Sequence, residues 1–308
     1  MRILTVGAGA VGGWFGARLA RAGQDVTFLV RRERAAVLRE RGLRVTGLGE
    51  ELTLTPELVT ADALSGRYDL VLLSVKSAAL DRAAKDLAPA VGPGTAIVPL
   101  LNGMAHLEHL RDRFGGAPVL GGVAKVVTTL NEHGDIVRMA PPSTVITGEL
   151  DGRPSARVDA VRAVLSGAGI DSPETADVVG AMWHKWVFIS TLAAATCLGR
   201  GSVGEVAAVP GGAGLGQAVL AEAAAVSAEA GHPVPDAELA FTARTVTTPG
   251  SPLTPSMYRD LVAGRPTEVE HVFGDLIARA RALAVPTPLL DLATLQLRVH
   301  QRRVSPEA

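Results

Sequence analysis

The stretch Arg2 to Gly23, RILTVGAGAVGGWFGARLARAG, decides the fold. Arg2 to Val6 is a short apolar run of strand type, and Gly13 to Ala22 reads as a helix that Gly23 ends. Between them stands Gly7-x-Gly9-x-x-Gly12. That spacing is a weak signal alone, but a strand leading in and a helix leading out give it a mechanism. Gly7 permits the tight turn, Gly9 lets the backbone approach a pyrophosphate, and Gly12 allows close helix–strand packing. The N–H groups of the helix start, at Ala10, Val11 and Gly12, then point at the phosphates. The competing reading is a glycine-rich turn with no ligand. A second glycine-rich stretch, VPGGAGLGQ at 209–217, lacks both the spacing and a strand before it, and reads as a loop opening a helix.

Outward from this stretch, strands and helices alternate to about Ser172. Asp25 to Val30 is a strand of apolar and β-branched residues. LRVTG and ELTLTPELVT alternate as strands do, YDLVLLSV and TAIVPLLNG are continuous buried strands, and Ser77 to Ala90 is a helix. Strands joined by crossover helices imply a doubly wound, mostly parallel sheet. VAKVVTTLNEHGDIVRMAPPSTVITGEL reads as two strands with a hairpin at NEHGD, an antiparallel extension of that sheet. At the end of the second strand an NAD site offers Asp or Glu to the ribose hydroxyls. Here Arg31 and Arg32 stand there, with Arg34 beyond, and positive charge suits the 2′-phosphate of NADP(H). A solvated basic turn is the alternative.

Beyond IDSPETAD the pattern changes. The stretches Ala176–Leu198, Gly214–Ala230, Ala237–Val246, Ser256–Ala263 and Pro266–Ala284 read as helices, separated by breaks rich in Gly, Pro and Thr. Two domains follow, 1–172 and 173–308, the second all-α; RRVSPEA reads as a frayed tail.

The first helix of the second half poses a question. In Trp183-His184-Lys185-Trp186-Val187-Phe188-Ile189-Ser190 a lysine interrupts an apolar and aromatic run. Buried ammonium is costly unless paired, so Lys185 either reaches solvent along its stem or is kept for chemistry. Composition bears on this choice. Of 30 basic residues only Lys76, Lys85, Lys125 and Lys185 are lysine. Lysine can be tuned towards neutrality and arginine cannot, so proton transfer is one reason to retain it.

The remaining bulk properties exclude more than they assign. A net charge of −1 gives no electrostatic reason to expect nucleic acid or an anionic membrane. The single Cys197 rules out an internal disulfide and any multi-cysteine metal site, in keeping with a reducing cytoplasm. The N-terminus superficially resembles a signal peptide, but its glycines serve the turn described above. The longest uncharged apolar run, Trp186 to Gly199, is shorter than the roughly 20 residues of a membrane span. His106 and His109 share a helix face without a third ligand, so they read as solvated and no metal site is expected. His184 and His271 adjoin candidate site residues but are expected on other helix faces.

The segments GAGAVGGWFGARLARAG, LLSVKS, LNGM, WHKW and SMYRDLVAGRPTEVEHVFG, in this order, resemble the ketopantoate reductase family, the 2-dehydropantoate 2-reductases. The resemblance implies an N-terminal Rossmann domain, a helical C-terminal domain like that of phosphogluconate dehydrogenase, and an active site in the cleft between. It implies NADPH-dependent reduction of the C2 ketone of 2-dehydropantoate to pantoate, a step towards pantothenate and coenzyme A. On it Lys185 is the general acid and Glu268 the catalytic glutamate that bonds the substrate hydroxyl. Ser256, twelve positions before Glu268, helps hold the substrate carboxylate. Lys76 and Asn102 follow buried strands at the sheet edge where ligands bind, and the resemblance places both, with Glu268, near cofactor and substrate. The partner implied is a small-molecule 2-oxo acid, and a homodimer is the assembly considered.

Two departures qualify the substrate. Family members commonly carry asparagines four and eight residues after the catalytic lysine, where this chain has Ile189 and Ala193; Leu101 replaces a polar residue before Asn102. Part of the pocket has lost its hydrogen-bonding groups. A related dehydrogenase of a more apolar carbonyl or imine, and a non-catalytic NADP-binding sensor, are therefore the competing functions.

Overall fold

The structure, a computed structural model, describes residues 1–305. Contacts divide it into two units, 1–101 with 106–178, and 102–105 with 179 onwards.

The first unit begins β1 (Arg2–Val6), α1 (Ala10–Arg21), β2 (Asp25–Leu29) and α2 (Arg32–Arg41). It continues with β3 (Leu43–Gly47), β4 (Glu50–Leu54), β5 (Glu57–Val59), β6 (Leu70–Leu73), α3 (Leu80–Leu87) and β7 (Ala96–Pro99). It ends with α4 (Ala105–Phe114), β8 (Gly121–Leu130), β9 (Ile136–Gly148) and α5 (Ala156–Gly167). Five strands form a wholly parallel sheet in the order β5-β2-β1-β6-β7. The chain winds outwards in both directions from β1, which makes the gap beyond the C-terminal ends of β1 and β6 the topological switch point. Strands β6 and β7 are buried at every residue, as strands covered on both faces must be. Trp14 and Phe15 of α1 pack with Phe28 of β2 in the core cluster, each almost fully buried. Burial of one such ring contributes about 1.5–3 kcal/mol.

Strands β8 and β9 form the expected hairpin, closed by Asn131, whose side chain accepts from the main chain of His133 and Asp135. They do not extend the parallel sheet. They join β3 and β4 in a separate four-stranded sheet, β4-β3-β9-β8. A bridge from Ile97 to Val119 connects the approach to β8 with β7 before the chain turns away. Alternation showed that these segments were strands, but it carries no information about which partner each one takes.

The second unit holds α6 (Val178–Gly199), α7 (Val203–Ala208), α8 (Gly212–Glu229), α9 (Asp236–Thr247), α10 (Ser256–Val262), α11 (Asp275–Ala282) and α12 (Pro288–Val304). Helix α6 is apolar all round. Its length and composition would allow it to cross a membrane, but two thirds of its most apolar window is buried inside the fold. The 209–217 stretch is a turn followed by α8, which starts at Gly212. The expected helix over Pro266–Ala284 starts late. Residues 265–268 are non-helical, a π-helical turn spans Glu270–Gly274, and α11 follows. The expected tail at Arg302 is helical to Val304, and its last three residues lie outside the described ones. The contact division falls at Val178, six residues beyond the change in pattern at Ser172. Residues 173–177 stay with the first unit through contacts such as that of Ala176 with Gly152.

Candidate active site

The switch point of the parallel sheet is built from main chain. Gly7 follows β1 at φ +95° and donates to the Leu29 carbonyl at 3.0 Å, and a Cβ there would lie 2.6 Å from the Ser74 carbonyl oxygen. A Cβ on Gly12 would run into the Gly7 carbonyl and lie 2.9 Å from the Ser74 Cβ. Both glycines are therefore required by the protein's own packing. Gly9 is not: its φ of −86° suits any residue, and a Cβ would meet nothing within 4 Å. Gly9 is the N-cap of α1 and gives no side-chain cap, and the first turn carries no acidic residue. The N–H groups of Ala10, Val11 and Gly12 precede the first intrahelical bond, Gly13 N to Gly9 O at 2.8 Å. Uncapped donors at the positive end of a twelve-residue helix, facing open space over a bare glycine, suit a pyrophosphate.

The arginines after β2 separate by environment. Arg31 is the exposed N-cap of α2. Arg32 is 79% exposed and meets Asp62 at 3.1 Å on the surface. Arg34 turns inwards, and its guanidinium donates to the carbonyls of Ala8 at 3.1 and 3.2 Å and Gly134 at 2.9 Å, pinning the glycine loop to the β8–β9 hairpin. Burial pulls its pKa below the usual arginine value. Arg34 is thus engaged in structure, which leaves Arg31 and Arg32 at the strand end. Lys76, three residues beyond β6, is exposed and caps a single 3-10 turn that leads into α3. It stands at the switch-point edge, as its position after a buried strand predicts.

In the second unit, Asn102, Glu268 and His271 come together. The His271 ring hydrogen-bonds the main chain of Asn102 and lies in the field of the Glu268 and Asp275 carboxylates. Burial, the largest influence, holds His271 below its ordinary pKa, against the raising effect of those partners. Glu268 immediately precedes the helical segment, its carbonyl accepting from Val272 N at 3.0 Å, so residue 271 lies one turn on. That segment is braced on several sides. Trp186 Nε1 donates to the Val272 carbonyl at 2.8 Å, Thr267 N donates to Gln301 Oε1 at 2.9 Å, and Arg298 grips Glu270 at 2.6 and 2.7 Å. The Trp186 bond ties the turn after Glu268 to α6, on which Lys185 is the preceding residue.

Lys185 is half-buried between Trp183 and Trp186, both buried. Ile189 is half-buried and Ala193 is 3% exposed, so α6 offers no hydrogen bond from a side chain at either position. Ser256 is exposed as the first residue of α10. His184 pairs with Glu238 of α9 at 3.5 Å, on another face as expected. His271 departs from that expectation, and its i+3 spacing from Glu268 was the signal available. His106 departs too. It is fully buried on the face of α4 that carries Leu110, whereas His109 is partly exposed and meets Asp81 at 3.1 Å.

Comparison with known proteins decides the family. The model of ketopantoate reductase PanE/ApbA matches residues 3–152, and that of its C-terminal domain matches 177–301. The chain belongs to the ketopantoate reductase family. It is 31% identical to the uncharacterized oxidoreductase YkpB of Bacillus subtilis, over 98% of this chain and 99% of the relative. It is also 31% identical to the 2-dehydropantoate 2-reductase of Archaeoglobus fulgidus, over 92% of each. The crystal structure of 2-dehydropantoate 2-reductase from Geobacter metallireducens superposes with a TM-score of 0.88 at 29% identity, covering 97% of this chain and 99% of that one. The chain is thus an oxidoreductase of that family, with a doubly wound N-terminal unit and a helical C-terminal unit.

Proposed function

We propose that this oxidoreductase uses NADPH to reduce the C2 ketone of a 2-oxo acid to the 2-hydroxy acid, with 2-dehydropantoate the leading substrate and pantoate its product. The observation that carries the reading is the tie between α6 and the Glu268 turn. Trp186 Nε1 on the Val272 carbonyl sets the segment bearing Lys185 against the one bearing Glu268, while His271 joins that turn to Asn102.

The residues divide the work by their chemistry. Gly7, Gly9 and the N–H groups of Ala10, Val11 and Gly12 would hold the pyrophosphate, and Arg31 with Arg32 the 2′-phosphate. When bound, the nicotinamide supplies a hydride to the carbonyl carbon. The Lys185 ammonium lies beside the oxygen that gains charge, stabilises it and gives up its proton there. Glu268 accepts a hydrogen bond from the substrate hydroxyl, and Ser256 takes part in holding its carboxylate. Asn102 and Lys76 orient substrate and cofactor ribose.

A second reading, a larger apolar 2-oxo acid or related carbonyl, is favoured by Ile189 and Ala193, which remove two polar anchors from the lysine-bearing helix. NADPH oxidation followed by absorbance, with 2-dehydropantoate and a panel of branched and aromatic 2-oxo acids, tests both. The first reading expects 2-dehydropantoate to give the highest kcat/KM, and the second expects an apolar acid to surpass it. Tight NADPH binding with no turnover on any member refutes both in favour of a sensor.

A further inference from the structure

Gly103 has φ +72°, and a Cβ on it would stand 2.7 Å from the His271 carbonyl oxygen and 3.5 Å from the ring's Cδ2. The Asn102–Gly103 turn is therefore seated directly on residue 271, in a backbone conformation that glycine alone adopts without strain. Residues 102–105 belong by their contacts to the second unit, although the chain on either side belongs to the first. The His271 ring lies against the Asn102–Gly103 main chain and within the field of the Glu268 carboxylate. Its own backbone is not free to follow a displaced partner. The π-helical turn around it is fixed by Trp186 at Val272, Arg298 at Glu270 and Gln301 at Thr267. An extra residue per turn is costly and is commonly found where a side chain must be aimed.

We propose that His271 is a positioning residue that holds the Asn102–Gly103 turn in one fixed arrangement for the reduction, beside the turn that bears Glu268. The inference rests on the reading of Asn102 and Glu268 as substrate-site residues. Displacing a group from a reacting centre by about 1 Å can cost on the order of a hundredfold in rate. Loss of the ring should therefore lower kcat more than it raises KM.

The test compares His271→Leu, which fills similar space without polar atoms, with His271→Asn and His271→Gln, which between them replace the two ring nitrogens. Kinetics on the best 2-oxo acid of the panel are measured with the NADPH Kd and the melting temperature. Expected is a fall in kcat of roughly tenfold or more for His271→Leu, unchanged NADPH affinity, and recovery of most of the loss by Asn or Gln. His271→Ala replaces the leucine variant if that one does not fold. A leucine variant with wild-type kcat overturns the inference while leaving the function standing, and so do variants whose activity follows melting temperature alone. A wild-type enzyme that reduces no 2-oxo acid overturns both.

Discussion

Replacing Gly9 by alanine separates a nucleotide cradle from a merely tight turn, because the two demand opposite results. The new methyl would meet no protein atom within 4 Å, and φ −86° with ψ −165° is ordinary extended backbone. Two small effects act on stability and oppose each other. Alanine narrows the unfolded ensemble, which stabilises by about 0.4–1 kcal/mol. It is also a poorer N-cap than glycine, at a cost of several tenths of a kcal/mol up to about 1. The melting temperature should therefore barely move. Binding is another matter, since the methyl projects into the space before three uncapped N–H groups. Loss of one hydrogen bond to a charged phosphate costs about 1.5–3 kcal/mol, which is about 10- to 150-fold in Kd. Gly12→Ala is the control. Its Cβ collides with the Gly7 carbonyl and crowds Ser74, so overpacking should remove about 1–3 kcal/mol of stability whether or not a ligand exists. Fluorescence titration with NADPH and a thermal melt on each variant give both numbers. A Gly9→Ala protein that binds NADPH as tightly as wild type refutes the cradle, and one that melts far lower refutes the open space in front of it.

Other expectations follow from single contacts. Arg31→Ala should weaken NADPH by about tenfold or more while leaving NADH within a few-fold, since only the 2′-phosphate contact is lost. Arg34→Ala should weaken both dinucleotides alike and lower the melting temperature, because its bonds to Ala8 and Gly134 hold the loop itself; paired titrations distinguish the two. Glu149 is held below the usual carboxylate range, above all by hydrogen bonding from Arg157 at 2.6 and 2.7 Å. A depressed carboxylate pKa contributes stability that is present above the unfolded value and lost as pH falls through the folded one. Melts from pH 7 down to about 3 should therefore show wild type losing more of its melting temperature than Glu149→Gln; parallel curves would contradict this.

Local rules made the first unit legible and the second only in part. Strand, glycine spacing and helix occur within the first 23 residues, and their chemistry is set by near neighbours, so the loop could be read without the fold. The roles of the arginines could not. Arg34 bonds Gly134, a hundred residues away, and only tertiary structure shows that it is engaged. The same holds for Asn102, whose turn rests on His271, and for Trp186, whose indole reaches Val272. Pro266 gave a sound signal for a helix start, but the chain remains non-helical to Glu268, with the Thr267 N–H donated to Gln301 of α12. His106 is polar and reads as solvated, but its i+4 relation to Leu110 places it on the buried face. On the proposed function, substrate preference would turn on Ile189 and Ala193, where the sequence offers no hydrogen-bonding side chain and does not name the substrate group that meets them.

The most direct measurement is the pre-steady-state and steady-state reduction of the preferred 2-oxo acid by Lys185→Ala beside wild type, with NADPH affinity determined on both. Removal of the ammonium should lower kcat by about a hundredfold or more, the scale of a lost general acid, at unchanged NADPH Kd. A variant that turns over within a few-fold of wild type would show that the proton comes from elsewhere, and the assignment of the lysine in α6 would be wrong.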